Sequence, residues 1–185
     1  MKMGLVGTNG SGKTEICRYM REKGAAIFSL SEIVRKEARA RGLREDRDTL
    51  ISIGNELKKN YGLSVLAERC FQTYLETKPR HVVFDSIRNV EEASFLTRHN
   101  VHLIGIDAPI ELRYQRIQNR KNETDRIDIE TFKRQDKEEN EGKSFGQHIY
   151  SVFPFCEIII QNTGDLSELY SSVDRLVFTK KVRDL

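Results

Sequence analysis

The stretch GLVGTNGSGKTEIC, residues 4–17, decides the fold. A short apolar run dissolves into glycines and then meets a lysine, a threonine and a helical pattern. From Gly7 to Thr14 the spacing fits G-x-x-x-x-G-K-[ST], the phosphate-cradling P-loop. Glycines let such a backbone curl until successive N–H groups point inward at phosphate oxygens, and the following helix offers its unpaired amides and positive dipole end to the same charge. Thr8, Asn9, Gly10, Ser11 and Gly12 would supply that cradle, Lys13 would reach the β and γ phosphates, and the Thr14 hydroxyl would hold Mg²⁺. A merely flexible Gly/Ser turn would match the pattern in fewer than about one chain in a hundred of this length.

Around that motif the composition is ordinary. The 185 residues suit one domain spanning 1–185, with a well-buried core. No segment approaches the roughly 18 consecutive apolar residues of a membrane span, and Met1-Lys2 runs straight into a strand pattern without a signal-peptide core. A cytoplasmic protein with no membrane partner is therefore expected. Cys17, Cys70 and Cys156 are odd in number and widely spaced, as reduced thiols are. A net charge of +3 fits a small anionic ligand at a local basic site more readily than a nucleic-acid footprint.

Strands and helices alternate along the chain without repeats. Lys2 to Gly7 reads as a strand and Lys13 to Lys23 as the helix after it. Ala25 to Phe28 leads through Ser29-Leu30-Ser31-Glu32, a capping box with Ser29 at N-cap, Glu32 at N3, and Phe28 and Ile33 as the staple. That helix should start at Leu30. Asp48 to Asn60 and Ser64 to Glu76 form a helical excursion divided at Gly62. The runs HVVFDS (81–86), VHLIGID (101–107) and EIIIQN (157–162) are apolar and β-branched, like strands of a parallel sheet covered on both faces. Helices are expected at Val90 to His99, Pro109 to Arg120, Ile129 to Glu141 and Leu166 to Phe178. The pattern is α/β with right-handed crossovers, and its ligand should sit beyond the carboxyl ends of the strands.

Two constellations fall at that edge. Asp85-Ser86-Ile87-Arg88 ends the third apolar run, where an acidic residue can bind a metal-bound water or accept a proton and Arg88 can reach a phosphate. The plainer alternative is Asp85 capping the helix that begins near Val90. In the helix from Pro109, Arg113, Arg116 and Arg120 share a stripe at i, i+3 and i+7 beside the apolar stripe of Ile110, Tyr114 and Ile117. The polar segment KNETDRID that follows, carrying Arg126, suits a flap that brings charge and excludes water.

Together, the P-loop, SLSEIVRKEARARGL, VVFDSIR, LIGIDAPIELRYQRIQNR and EIIIQNTGDLSELY resemble the P-loop nucleoside monophosphate kinase group, closest to the archaeal-type dephospho-coenzyme A kinase-like family. The resemblance covers nearly the whole chain in order. It implies a three-layer αβα fold with a five-stranded parallel sheet in order 2-3-1-4-5, a helical acceptor-binding part at about 30–78 and a lid at about 120–145. It also implies ATP and Mg²⁺ and a small nucleotide-like substrate. Arg35 would grip the acceptor's phosphate with Arg88 beside it, Arg116 and Arg120 would serve the lid, and the loop at Asn162 would lie against the donor adenine. Bacterial-type dephospho-coenzyme A kinases carry an aspartate pair after the second strand where this chain has Ser29 and Ser31. Both Glu32, near the acceptor, and Asp85, at the end of a core strand, therefore stand as candidate general bases, and Asp85 equally as a metal ligand with Thr14.

Three classes of function remain open: an ATP-dependent kinase of dephospho-coenzyme A or of a nucleoside or deoxynucleoside monophosphate, a nucleotide-hydrolysing regulatory module, and a nucleic-acid-binding module. The first is favoured. The charged segment RKEARARGLREDR (35–47) interleaves both signs and has no aromatic stacking run, so nucleic acid is an unlikely partner; oligomeric state is not legible. Lys13→Ala should leave the fold intact and remove most phosphoryl transfer, since it deletes charge stabilisation worth several kcal/mol in the transition state. Circular dichroism and coupled ADP release check the two halves of that expectation, and a folded variant with near-normal turnover would contradict it.

Overall fold

A computed structural model describes residues 1–119, 127–140 and 148–181, the last five as backbone only. Its centre is β1 (Lys2–Gly7), buried from Met3 onward because the strand is apolar on both faces and is covered on both. β1 pairs in parallel with β3 (Val82–Ile87) on one side and β4 (His102–Asp107) on the other; β2 (Ala26–Ser29) and β5 (Ile158–Gln161) form the edges. The order is β2-β3-β1-β4-β5, the predicted 2-3-1-4-5 sheet.

Helices cover both faces. On one, α1 (Lys13–Glu22) and α9 (Leu166–Lys181) bring Ile16, Met20, Leu169 and Val173 onto Met3, Leu5, Val83 and Ile106. On the other, α2 (Leu30–Ala40), α3 (Arg47–Tyr61), α4 (Val65–Thr77) and α5 (Val90–Arg98) cover Val6, Val82, Phe84 and Leu103. The alternation of Val82 and Phe84 against Val83 is the period-two signature of a strand sandwiched between helical layers. Beyond β4 come α6 (Ile110–Gln118), α7 (Ile129–Asn140), the short α8 (Ile149–Val152) and a 3₁₀ turn at Phe153–Phe155. Nothing in the sequence reading anticipated these last two elements; Ile149 and Val152 bury themselves in the second layer's core there.

β3 does not run straight to its end. Gly4 pairs with Phe84, but Val6 pairs with Ile87, so β3 holds one residue more than β1 over that interval. Ser86 takes up the excess in the left-handed region at φ 67, which costs a serine more than a glycine. Such a bulge re-aims side chains, and it does so here at the functional edge.

The predicted start of α2 at Leu30 is observed, but the capping box is not. Ser29 is the N-cap without a side-chain cap hydrogen bond; its Oγ lies 2.9 Å from Ser31 Oγ and 3.1 Å from Ser86 Oγ, while Glu32 reaches Arg39. The hydroxyl has been drawn across to β3 instead of back to its own helix. α5 is capped by Asn89, whose Oδ1 accepts the Glu92 N–H at 2.8 Å, so Asp85 is not needed as a cap.

Phe84 is fully buried, with the rings of Phe28, Phe71 and Tyr74 at 6.0, 5.9 and 5.8 Å. Phe84→Ala should cost about 3–5 kcal/mol through the cavity it leaves, read as a lowered midpoint in urea unfolding.

Candidate functional site

The loop leaving β1 is fixed by close approach on several sides. A Cβ on Gly7 would lie 2.3 Å from the Ile106 carbonyl oxygen of β4, and one on Gly12, at φ 113, would lie 2.4 Å from Asn162 Nδ2. Only glycine lets the two central strands stay paired to their last residue while the chain curls away. Inside the curl the Thr8 and Ser11 hydroxyls are buried without a hydrogen-bond partner. Lys13 Nζ donates to the carbonyls of Gly7 at 2.6 Å and Thr8 at 2.8 Å. Thr14 is exposed at the first turn of α1, where its hydroxyl is open to a metal ion. Orphaned hydroxyls, a lysine folded over the loop's own carbonyls and a helix N-terminus fit a nucleotide's phosphates. Among the described residues no cluster of three or more His, Cys, Asp or Glu could hold a metal. Mg²⁺ needs none, since it keeps waters and phosphate oxygens and takes only one or two protein ligands.

Asp85, near the end of β3, lies within electrostatic reach of α1. The carboxylate bears on Cys17 of α1 together with Lys13: burial chiefly pushes the Cys17 thiol up to about 12, Asp85 adds to that, and Lys13 opposes it. One Asp85 oxygen accepts from Ser86 Oγ at 3.2 Å, and the other is buried with no partner. Ser29, Ser31 and Ser86 form a hydroxyl cluster beside it.

Between the phosphate loop and the helical layer lies a cavity of about 500 Å³, of ordinary size for a small-molecule site. Gly7, Asn9 and Lys13 border it on the loop side, Ser31, Ser86 and Arg88 along the sheet edge, and Arg35, Leu50, Asn55 and Lys58 on the helices. Of the expected acceptor residues, Arg35 and Arg88 are on this wall, but Glu32 is not, being paired with Arg39 on the outside. The basic segment around α2 is neutralised locally: Arg35 and Arg39 meet Glu45 at 3.1 and 2.8 Å, and Arg41 meets Glu37 and Glu56.

The arginine stripe of α6 divides. Arg113 is not a basic flank; it is buried, because its guanidinium forms a two-pronged pair with Asp136 of α7 at 2.5 and 2.8 Å and donates to Ala108 O and Asn9 O. Periodicity could not show this, since the partner lies 23 residues on. Arg116 stays partly exposed, 3.4 Å from Asn162 Oδ1 and 3.5 Å from Gly164 O, with one terminal nitrogen buried and unbonded. Arg120 and Arg126 lie outside the described residues, as do both ends of the expected lid, 120–126 and 141–145; its middle is α7. Asn162 is turned to the phosphate loop, donating to Ser11 O at 2.8 Å. Sequence reasoning missed Lys58 and Glu92 as parts of this region and took Arg113 for a basic flank, because a charged residue in an amphipathic helix carries no mark of burial.

The family profile described as an AAA domain matches residues 3–143. A UPF0200 protein of Methanosarcina mazei is 32% identical over 138 residues, 73% of this chain and 74% of that protein. The chain belongs to the AAA domain family and to the UPF0200 proteins. A UPF0200/UPF0201 protein of Archaeoglobus fulgidus is 29% identical over 94% of the chain, which spans only 54% of that protein's length. Among solved structures, shikimate kinase from Bacteroides thetaiotaomicron superposes with a TM-score of 0.58 at 15% identity, covering 100% of this chain and 99% of its own. Shikimate kinase from Acinetobacter baumannii, in complex with shikimate, gives 0.58 at 17% over 97% and 94%. The fold is that of the P-loop kinases. No helix of the described residues is long and apolar enough to cross a membrane.

Arg113→Met strands the Asp136 carboxylate in the interior and should cost about 3–5 kcal/mol, whereas Arg113→Met with Asp136→Leu should recover most of that stability. Because both variants lose the bond to Asn9 O, both should bind a fluorescent ATP analogue more weakly. Unfolding and titration of the two variants separate the stability role from the loop-holding role.

Proposed function

We propose that the chain is an ATP-dependent phosphotransferase acting on a small nucleotide-like acceptor, with dephospho-coenzyme A, phosphorylated at its ribose 3′-hydroxyl, as the leading acceptor. One observation carries this reading: a phosphate loop with orphaned hydroxyls opens onto a cavity of about 500 Å³ whose sheet edge includes Ser86, the bulge residue next to Asp85. A nucleotide-hydrolysing module would have no use for such a cavity beside its loop. The two neighbours named as kinases, one of them bound to shikimate, favour a small-molecule acceptor.

In this reading Thr8 to Thr14 bind the donor's phosphates, and Lys13 exchanges its two carbonyl partners for phosphate oxygens. Arg116, beside Asn162 and Gly164, serves the donor side together with Arg120. Thr14 and, through water, Asp85 would hold Mg²⁺, which when bound neutralises charge on the transferred group. Arg35 and Arg88 hold the acceptor's own phosphate. The Asp85 oxygen without a partner is the natural acceptor for a sugar hydroxyl proton, with the Ser29, Ser31 and Ser86 hydroxyls orienting that group. A nucleoside or deoxynucleoside monophosphate is the second reading, favoured by Arg35, Arg47, Lys58 and Arg88 around the cavity.

Asp85→Asn tests the choice. A hydroxyl nucleophile gains from a base and an anionic phosphate acceptor does not, so the variant should keep ATP and acceptor affinity but lose about 10²–10⁴ in kcat with dephospho-coenzyme A. Turnover of both proteins across a Mg²⁺ titration, with dephospho-coenzyme A and then a panel of monophosphates, decides it. If monophosphates react well, dephospho-coenzyme A does not, and added Mg²⁺ rescues the variant, the acceptor is a monophosphate.

A further inference from the structure

One face of α3 is given over to the cavity. Arg47, Leu50, Ile51, Gly54, Asn55 and Lys58 recur at the three- and four-residue spacing of a helical stripe, and all of them border it. The charged ends of that face are engaged by carboxylates, Arg47 by Glu139 of α7 and Lys58 by Glu92 of α5, 4.0 Å away. Its uncharged middle is not. Asn55 is half-buried, and its amide makes no hydrogen bond among the described residues.

Gly54 stands in the interior of a 15-residue helix, where glycine costs stability relative to alanine. The protein's own packing does not ask for it. The backbone there is ordinary helix, and a Cβ built on Gly54 would meet only Val34 Cγ2, at 3.8 Å, a normal van der Waals contact. A glycine that neither turns the chain nor relieves a clash leaves bare backbone on the cavity side, as the close approach of a ligand requires. Val34 of α2, Leu66 of α4, Ile87 of β3 and Ile149 of α8 border the same cavity, so its walls are aliphatic as well as charged. From Leu50 to Asn55 the helix rises about 7.5 Å, enough for a ring system to lie along it.

We propose that Gly54 and Asn55 form the slot for the acceptor's nucleobase, the flat ring lying against the bare backbone at Gly54 while Asn55 reads its edge. This rests on the reading of the cavity as an acceptor site. Aliphatic walls take the face of an uncharged ring, and a carboxamide, which accepts at oxygen and donates at nitrogen, matches the neighbouring donor and acceptor that a base presents. A rigid ring also enters without losing rotational freedom, which a flexible amide chain of similar size would forfeit. The same cavity continues to Ser86 and Lys13, so one ligand can reach from the slot to the phosphate loop.

Calorimetric titration of the full chain, its donor site filled with ATPγS, tests the slot. The probes are AMP, GMP, CMP, UMP and dephospho-coenzyme A, with ribose 5-phosphate as the control that lacks a base. The tightest base-bearing probe should outbind ribose 5-phosphate by about ten-fold or more, through the ring area it buries. Gly54→Ala should melt about 2–4 °C higher, because the helix gains and nothing clashes. It should nonetheless bind that probe about five-fold or more weakly, with ribose 5-phosphate and ATPγS within about two-fold. Asn55→Ala should narrow the spread of affinities among the bases, since its amide no longer favours one edge over another. A glycine that serves packing predicts the opposite for Gly54→Ala, a lower melting temperature in step with weaker binding, and that result overturns the proposal. It also falls if no base-bearing probe outbinds ribose 5-phosphate, if Gly54→Ala binds the bases like wild type, or if Asn55→Ala leaves their order and spread unchanged. Pantetheine, a flexible chain with two amides, is the competing occupant; if it binds and is the ligand that Gly54→Ala weakens, the slot takes a chain and the base is misplaced. Coupled ADP release is measured separately. Bases that bind in the slot without accepting a phosphoryl group would retire the kinase reading and leave the slot standing, whereas transfer to acceptors bound without regard to their base would do the reverse.

Discussion

The turn out of β1 is the constraint on which the rest depends. Its backbone is hemmed by the Ile106 carbonyl of β4, by Asn162 after β5 and by Arg113 of α6, three segments that all lie far along the chain from the loop. A phosphate cradle must have its amides aimed before ligand arrives, since ordering a glycine-rich loop at the moment of binding would consume much of the affinity. Here the aim is imposed from outside the loop. Asn162 Nδ2 holds Ser11 O and the Arg113 guanidinium holds Asn9 O, so correct docking of β5 and α6 is a precondition for a competent loop.

Arg113 extends that dependence to α7. Its guanidinium joins the end of β4 at Ala108 O, the phosphate loop at Asn9 O and Asp136 of α7. Arginine suits the task because its planar fork addresses several acceptors at fixed angles, which a lysine could not do. The ring of Phe132, 5.8 Å from the guanidinium carbon, covers the group from water. α7 is thereby registered directly against the phosphate loop rather than through the sheet.

Most of the fold could be read from the chain because parallel strands covered on both faces announce themselves as β-branched runs, and VVFDSI, HLIGID and IIIQ lie within two residues of where those runs were placed. The phosphate loop was equally legible, its function being written in backbone geometry that only glycine permits. What escaped is side-chain pairing at long range. Arg113 reads like any exposed helical arginine until Asp136 is beside it, and Ser29 reads like a cap until Ser86 offers a different partner. The bulge at Ser86 is invisible for the same reason: the VVFDSI run fits a straight strand, and only the pairing with β1 adds the extra residue. The fold was encoded in local pattern, whereas the candidate site arises from coincidences between segments.

The bulge also sets the chemistry of this edge. In a regular strand Asp85 and Ser86 would point to opposite faces of the sheet. The extra residue instead brings Ser86 Oγ to 3.2 Å from one oxygen of the Asp85 carboxylate and within reach of Ser29 and Ser31, concentrating hydroxyls beside that carboxylate, whose other oxygen is buried without a partner. Serines are weak anion binders but good mutual relays, since each hydroxyl donates once and accepts from others. The helical side of the cavity has a different character, carrying Arg35 and Lys58. The two halves of the cavity wall therefore differ in chemistry, cationic on the helical side and rich in hydroxyls at the sheet edge, and the bulge in β3 is what creates that difference.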